Sequence, residues 1–129
     1  MANKILVVDD NATIRDLVIF TLKLDGYETI SAVDGLDALT QLNKSDPKEI
    51  ALIITDIVMP KMDGFALIQQ LRKHKQYCKI PIVVLTARGL EEDERTARNA
   101  GAVGFIRKPF EPAEMLGEIR NIISLTKNK

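Results

Sequence analysis

The sequence predicts an α/β domain built as a doubly wound, five-stranded parallel sheet with five helices. Three observations carry that prediction. Short apolar runs of strand length alternate with stretches of helical apolar spacing five times along the chain. The run Ala51-Leu52-Ile53-Ile54 is apolar without alternation, as a strand covered on both faces must be. The connections are short, so parallel neighbours have to be joined by right-handed crossovers through the helices. At 129 residues, 46% of them apolar, the chain suits one domain with one substantial core, and a single domain over residues 1–129 is expected.

The elements follow in order. Lys4-Ile5-Leu6-Val7-Val8 is the first strand, closed by Asp9-Asp10-Asn11. From Ala12 to Asp25, Ile14, Leu17, Val18 and Leu22 recur at helical spacing, and Gly26 supplies the C-terminal cap. Phe20 and Leu24 widen that arc beyond one stripe; the helix is either wedged between the sheet and a neighbouring helix or presents an apolar edge to a partner. Tyr27 to Ala32 alternates as the second strand, and Leu36 to Leu42 reads as a helix started near Asp34-Gly35. Asn43 to Ile50 is a polar loop. The third strand, from Ala51, stops at a lone carboxylate, Asp56; after the turn Met59-Pro60-Lys61-Met62, Asp63 caps a helix carrying Phe65, Leu67, Ile68 and Leu71. Pro81 to Leu85 is the fourth strand, Leu90 to Ala100 a charged helix capped by Gly101, Val103 to Arg107 the fifth strand, and Pro112 to Leu125 the last helix. The tail from Thr126 to Lys129 is expected to fray.

Charge and cysteine usage exclude several function classes. Eighteen basic and eighteen acidic residues cancel, and neither sign forms a block, so the footprint of a nucleic-acid or membrane binder is missing. The single cysteine, Cys78, precludes an intrachain disulfide and fits a reducing cytosol. Residues 1–4 lead straight into the first strand without a signal-peptide pattern, and no stretch approaches a membrane span. A cytoplasmic setting is expected.

In a parallel sheet all C-terminal strand ends gather on one edge, where ligands bind. Asp9, Asp10, Asp56, Thr86 and Lys108 each lie at such an end. Three carboxylates at close range repel by roughly 4 kcal/mol per pair at 4 Å and an effective dielectric near 20. They need a cation, and an all-oxygen cluster with room for water suits Mg²⁺ or Mn²⁺ better than zinc, for which the chain offers only His74 and Cys78. The hydroxyl of Thr86 and the ammonium of Lys108 suit the oxygens of a phosphoryl group, with Asp56 as the nucleophile that attacks phosphorus. Each residue alone is an ordinary solvated strand end; complementary chemistry on four ends is not. His74 and Cys78 fall near the end of the third helix and in the loop after it, away from the carboxylates, and Met59 and Met62 belong to the turn and to packing.

The ordered set Asp9-Asp10, Asp56 with Met59-Pro60-Lys61-Met62-Asp63-Gly64, Thr86-Ala87 and Lys108-Pro109-Phe110 resembles the receiver domain of two-component response regulators, with its CheY-like, flavodoxin-like fold. The resemblance covers nearly the whole chain. It implies that Asp56 is the phosphoacceptor and Asp9 and Asp10 the acidic pair for Mg²⁺, with Asp10, Asp56 and the carbonyl of Val58 as ligands. Thr86 and Lys108 would hold the phosphoryl oxygens, and the donor would be a phosphohistidine on a sensor histidine kinase or a histidine phosphotransfer protein. The Lys108-Pro109 bond is expected to be cis. Thr86 and Phe105 correspond to the family's switch pair, and Val58 and Arg88 to positions that modulate phosphoryl lifetime.

The family reading makes the chain a signalling phosphoacceptor and not an enzyme. Phosphorylation would alter the surface of the fourth helix, fifth strand and fifth helix for a downstream protein, since no output segment follows Leu125. One alternative is a receiver cut from a longer regulator; another is a Mg²⁺-dependent aspartyl phosphohydrolase, whose two acids are normally separated by one residue where Asp9 and Asp10 are adjacent. A flavodoxin-like nucleotide binder would want glycines or hydroxyls where Asp9-Asp10-Asn11 stands.

Overall fold

Ile50–Thr55 is the middle strand of the sheet, and all six of its residues are buried. The computed structural model describes residues 2–88 and 90–127. In chain order the elements are β1 (Lys4–Val8), α1 (Ala12–Leu24), β2 (Glu28–Ala32), α2 (Gly35–Asn43), a 3-10 turn (Pro47–Glu49), β3 (Ile50–Thr55), α3 (Gly64–Lys73), β4 (Ile82–Thr86), α4 (Glu91–Ala100), β5 (Gly104–Arg107) and α5 (Pro112–Lys127). Every strand pairing is parallel and the spatial order is β2-β1-β3-β4-β5. The chain therefore runs outward from β1 to β2, then crosses back over β1 to begin building the other half at β3. Such a reversal leaves a crevice between the C-terminal ends of β1 and β3.

Alternation along the strands feeds two cores. Leu6, Val8, Ile53 and Val84 point to the face covered by α2, α3 and α4, where they meet Leu42, Leu67, Leu71 and Ala97. Ile5, Val7, Ile54, Val83 and Leu85 point to the other face, against Val18 and Leu22 of α1 and Met115, Ile119 and Ile123 of α5. Burying each of these aliphatic side chains contributes about 1.5–3 kcal/mol before the entropy of ordering it is subtracted. Both faces being covered explains why β3 reads as a continuous apolar run.

The caps are local and chemical. Asn11, Asp34 and Asp63 each accept a hydrogen bond from the backbone N–H three residues on, starting α1, α2 and α3. Gly26 and Gly101 follow α1 and α4 with φ of 91° and 125°, which stops the helices where a side chain would be strained. Helix α4 has no side-chain cap but carries Glu91, Glu92, Asp93 and Glu94 in its first turn, where the helix dipole favours acid. At the opposite pole from the acids, Arg72 donates to the carbonyls of Cys78, Ile80 and Gly101, tying α3 to the loops that lead into β4 and β5. Burial pushes the Arg72 guanidinium below its ordinary range.

Most expected boundaries hold to within one or two residues, and the expected polar loop before β3 contains the 3-10 turn Pro47–Glu49. Helix α1 packs through Val18 and Leu22 against the sheet and beside α5, while Leu17, Phe20 and Leu24 on its wider arc stay 44%, 62% and 74% exposed. No helix among the described residues is long and apolar enough to cross a membrane. Thr126 and Lys127, expected to fray, instead continue α5, with the Thr126 hydroxyl donating to Ile122 O, and Asn128 and Lys129 lie outside the described residues.

Candidate functional site

Three backbone hydrogen bonds carry the sheet ladder past the strand ends and bring the chemistry together. The N–H of Asp9 donates to Ala32 O at 3.1 Å, that of Asp56 to Val8 O at 3.1 Å, and that of Lys108 to Thr86 O at 2.8 Å. The β3–α3 loop is closed by a bond from Gly64 N–H to Ile57 O at 2.8 Å. This approach is so close that a Cβ on Gly64 would lie 2.1 Å from the Asp56 carbonyl oxygen. Glycine is needed here for space, not for an unusual φ.

The carboxylates of Asp9, Asp10 and Asp56 offer oxygens that all lie within 4.8 Å of one another. Asp9 is 4% exposed, Asp56 is 9% exposed, and Asp10 faces solvent. Lys108 Nζ bridges the two enclosed acids, 2.7 Å from Asp9 Oδ2 and 3.0 Å from Asp56 Oδ2. Their other oxygens are also held: Asn11 N–H donates to Asp9 Oδ1 at 2.9 Å, and Ile57 N–H to Asp56 Oδ1 at 2.6 Å. Burial by itself would lower the Lys108 pKa, but hydrogen bonds to Asp9 and Asp56 and the charges of both outweigh it, and the net shift is upward. The lysine stays an ammonium.

Three carboxylates against one ammonium leave two negative charges in the crevice. Oxygen donors of this number, open to water on the Asp10 side, fit a hard dication such as Mg²⁺ and offer nothing to a thiophilic metal. Among the described residues no other trio of His, Cys, Asp or Glu converges in this way.

The remaining expected site residues lie around this cluster. Thr86 is the last residue of β4, almost fully buried, and its hydroxyl accepts the Arg88 N–H at 3.1 Å. Val58 is 55% exposed beside the acids, on the wall of a depression of about 340 Å³ that also takes in Ile57, Met59, Asp63, Phe65 and Arg88. Phe105 is buried in β5, with the Arg107 guanidinium 5.5 Å from its ring centre. The Lys108-Pro109 bond is cis. His74 and Cys78 stand at the far pole, His74 closing α3 and stacking on Tyr77.

Sequence reasoning missed two participants. Arg15 Nη1 donates to the Asp9 carbonyl at 2.7 Å. Asp93, only 3% exposed in the first turn of α4, takes a hydrogen bond from Arg88 Nε at 3.2 Å. Arg15 lies inside α1 and Asp93 inside α4, whose charged surface suits either a dimer face or plain solvation, so pattern alone carried no signal for either.

The geometry has counterparts in known proteins. A probable transcriptional regulator, ycf27, from Cyanophora paradoxa is 41% identical over 125 residues, covering 97% of this chain and 50% of that protein. The phosphate regulon transcriptional regulatory protein PhoB of Escherichia coli is 39% identical over 123 residues, covering 95% of this chain and 52% of that protein. The chain thus spans about half the length of the curated relatives it matches. Among solved structures, the Vibrio cholerae chemotaxis protein CheY4 superposes with a TM-score of 0.86 at 35% identity, covering 95% of this chain and 99% of that one. Residues 5–120 match the response regulator receiver domain, and with the fold and the crevice already described they establish that the chain belongs to this family of two-component signalling domains.

Proposed function

We propose that Asp56 accepts a phosphoryl group from a phosphohistidine on a sensor histidine kinase or phosphotransfer protein, in a Mg²⁺-dependent reaction. The observation that carries this reading is the crevice itself: three carboxylates within 4.8 Å, two of them bridged by one ammonium. Asp9, Asp10 and Asp56, with the Val58 carbonyl, would hold the ion. When bound, Mg²⁺ offsets the negative charge of the acids and of the incoming phosphoryl oxygens (Mn²⁺ has the same donor preferences).

The protein's own groups then account for the rest. An Asp56 carboxylate oxygen forms the O–P bond as the P–N bond of the donor breaks; the electron pair passes to the nitrogen, which leaves as neutral imidazole when the other ring nitrogen carries a proton. Lys108, kept charged by its surroundings, pairs with the phosphoryl oxygens. The Thr86 hydroxyl exchanges its Arg88 N–H partner for the phosphoryl group, and Phe105, next along the edge, reports that move to the surface of α4, β5 and α5. A downstream protein reads this surface, as would an output domain joined to the same chain. The exposed edge of Leu17, Phe20 and Leu24 on α1 suits a helical donor.

Intact mass after incubation with a small acyl-phosphate donor tests the acceptor. Wild type should gain one phosphoryl group only with Mg²⁺, and Asp56→Asn should gain none; labelling of Asp56→Asn at the wild-type rate would sink the assignment. Lifetime adds a second test. Val58 is aliphatic and cannot orient an attacking water, so the phosphoryl group should outlast that of Val58→Asn by a few-fold to about tenfold, less than the roughly 10²–10⁴ of a full general base because asparagine only orients the water. An equal or shorter wild-type lifetime, followed by mass after donor removal, would count against this role.

A further inference from the structure

Of the three clustered acids, Asp10 is the exposed one, and its carboxylate makes no hydrogen bond or ion pair with any described residue. Its direction depends on the main chain that carries it. The peptide joining Asp9 to Asp10 is held through its carbonyl, which accepts the hydrogen bond from Arg15 Nη1 at 2.7 Å. Upstream, the Asp9 N–H is bonded to Ala32 O; downstream, Asn11 caps α1 through its side chain, and its carbonyl accepts the Arg15 N–H at 3.0 Å. Arg15 therefore closes a loop: its backbone is fixed to Asn11 and its guanidinium reaches back to Asp9, with Asp10 between the two points.

We propose that Arg15 is a positioning residue for the divalent-cation site, acting through the Asp9–Asp10 peptide to aim the Asp10 carboxylate at Asp56. The inference rests on the reading of the crevice as a Mg²⁺ site and goes beyond it in naming what preorganises the one ligand that lacks side-chain partners. Arg15 itself is half-buried and has no carboxylate within ion-pair distance among the described residues, so its role is not that of a salt bridge. Two effects of opposite sign make the proposal decisive. As a nearby positive charge, Arg15 repels a dication, and removing it should tighten binding. As a donor that holds the peptide, its removal should loosen binding, because groups that orient metal ligands are typically worth tenfold or more in affinity.

The test is a titration of the full chain with Mg²⁺ alone, followed by the backbone amide resonances of Asp10, Asn11 and Asp56. Wild type is compared with Arg15→Met, which keeps the aliphatic stem but loses donor and charge, and Arg15→Lys, which keeps both. Arg15→Met should bind roughly tenfold more weakly while Arg15→Lys stays within about threefold of wild type, as expected when an orienting donor is lost or retained. Thermal unfolding without Mg²⁺ should be similar for all three. Binding by Arg15→Met that equals or exceeds wild type would overturn the proposal, and so would an equal loss in Arg15→Lys. A wild type that shows no Mg²⁺-dependent shifts would overturn the underlying site reading instead.

Discussion

Gly64→Ala should lose about 3 kcal/mol or more of folding stability, since among the described glycines an added Cβ meets backbone most closely there. The new Cβ would sit 2.1 Å from Asp56 O and 2.9 Å from Ile57 Cα, both backbone atoms that no side-chain rotation can clear. To make room, α3 must back away, breaking the Gly64 N–H bond to Ile57 O, or Asp56 must turn, loosening the Thr55 hydroxyl from the Asp56 carbonyl. Either movement also turns the Asp56 carboxylate away from Lys108. Gly117→Ala is the control: an added Cβ there meets nothing within 4 Å, and alanine inside a helix gains up to about 1 kcal/mol. Urea unfolding of both variants checks this, and a Gly64→Ala midpoint matching wild type would refute it.

Lys108→Met should slow phosphorylation of Asp56 by about 10²–10³, the usual cost of deleting one preorganised donor to a developing anionic centre. The same substitution leaves Asp9 and Asp56 facing one another without a cation. Stability in the absence of divalent ions should fall by about 2 kcal/mol, less than for a fully enclosed pair because the crevice opens to water beside Asp10. Mg²⁺ should then restore more stability to the variant than it adds to wild type, since it replaces a missing charge. Because the Lys108 pKa is raised, its contribution is fully present below the ordinary lysine range and disappears only as pH rises through the shifted value. Any change in labelling near neutral pH therefore belongs to another group. Initial labelling rates and melts with and without Mg²⁺ decide the matter; a Lys108→Met rate near wild type would remove the lysine from the chemistry.

The helix–sheet–helix layering of the fold was legible because period and length agree. Continuous apolar runs could only be doubly covered strands, and Asp63, Gly26 and Gly101 marked helix ends by local chemistry. Asp9, Asp56, Thr86 and Lys108 were legible for a related reason: each polar residue terminates an apolar strand, and parallel strands share an edge. Contacts that depend on three-dimensional approach left no such trace. Nothing in the spacing of Gly64 distinguishes a steric requirement from a turn preference, and Arg15 and Asp93 look like any charged helical residue until the loops they hold are in place. The exposed row of Leu17, Phe20 and Leu24 shows the same limit, since a helical period reveals an apolar arc but not which part of it the sheet leaves uncovered.

The bridge made by Lys108 also dictates an order of events during synthesis. It joins residues 99 and 52 positions apart in the chain, so the acids emerge from the ribosome long before the ammonium that lies between them. Until β5 docks beside β4, a nascent chain holds its carboxylates without their internal counter-charge, and the most distant loop closure of the site is still to be made. The first half of the chain carries all three acids, but their internal counter-charge comes only after the last strand. A chain ending before residue 108 therefore holds Asp9 and Asp56 without the ammonium that lies between them in the finished domain.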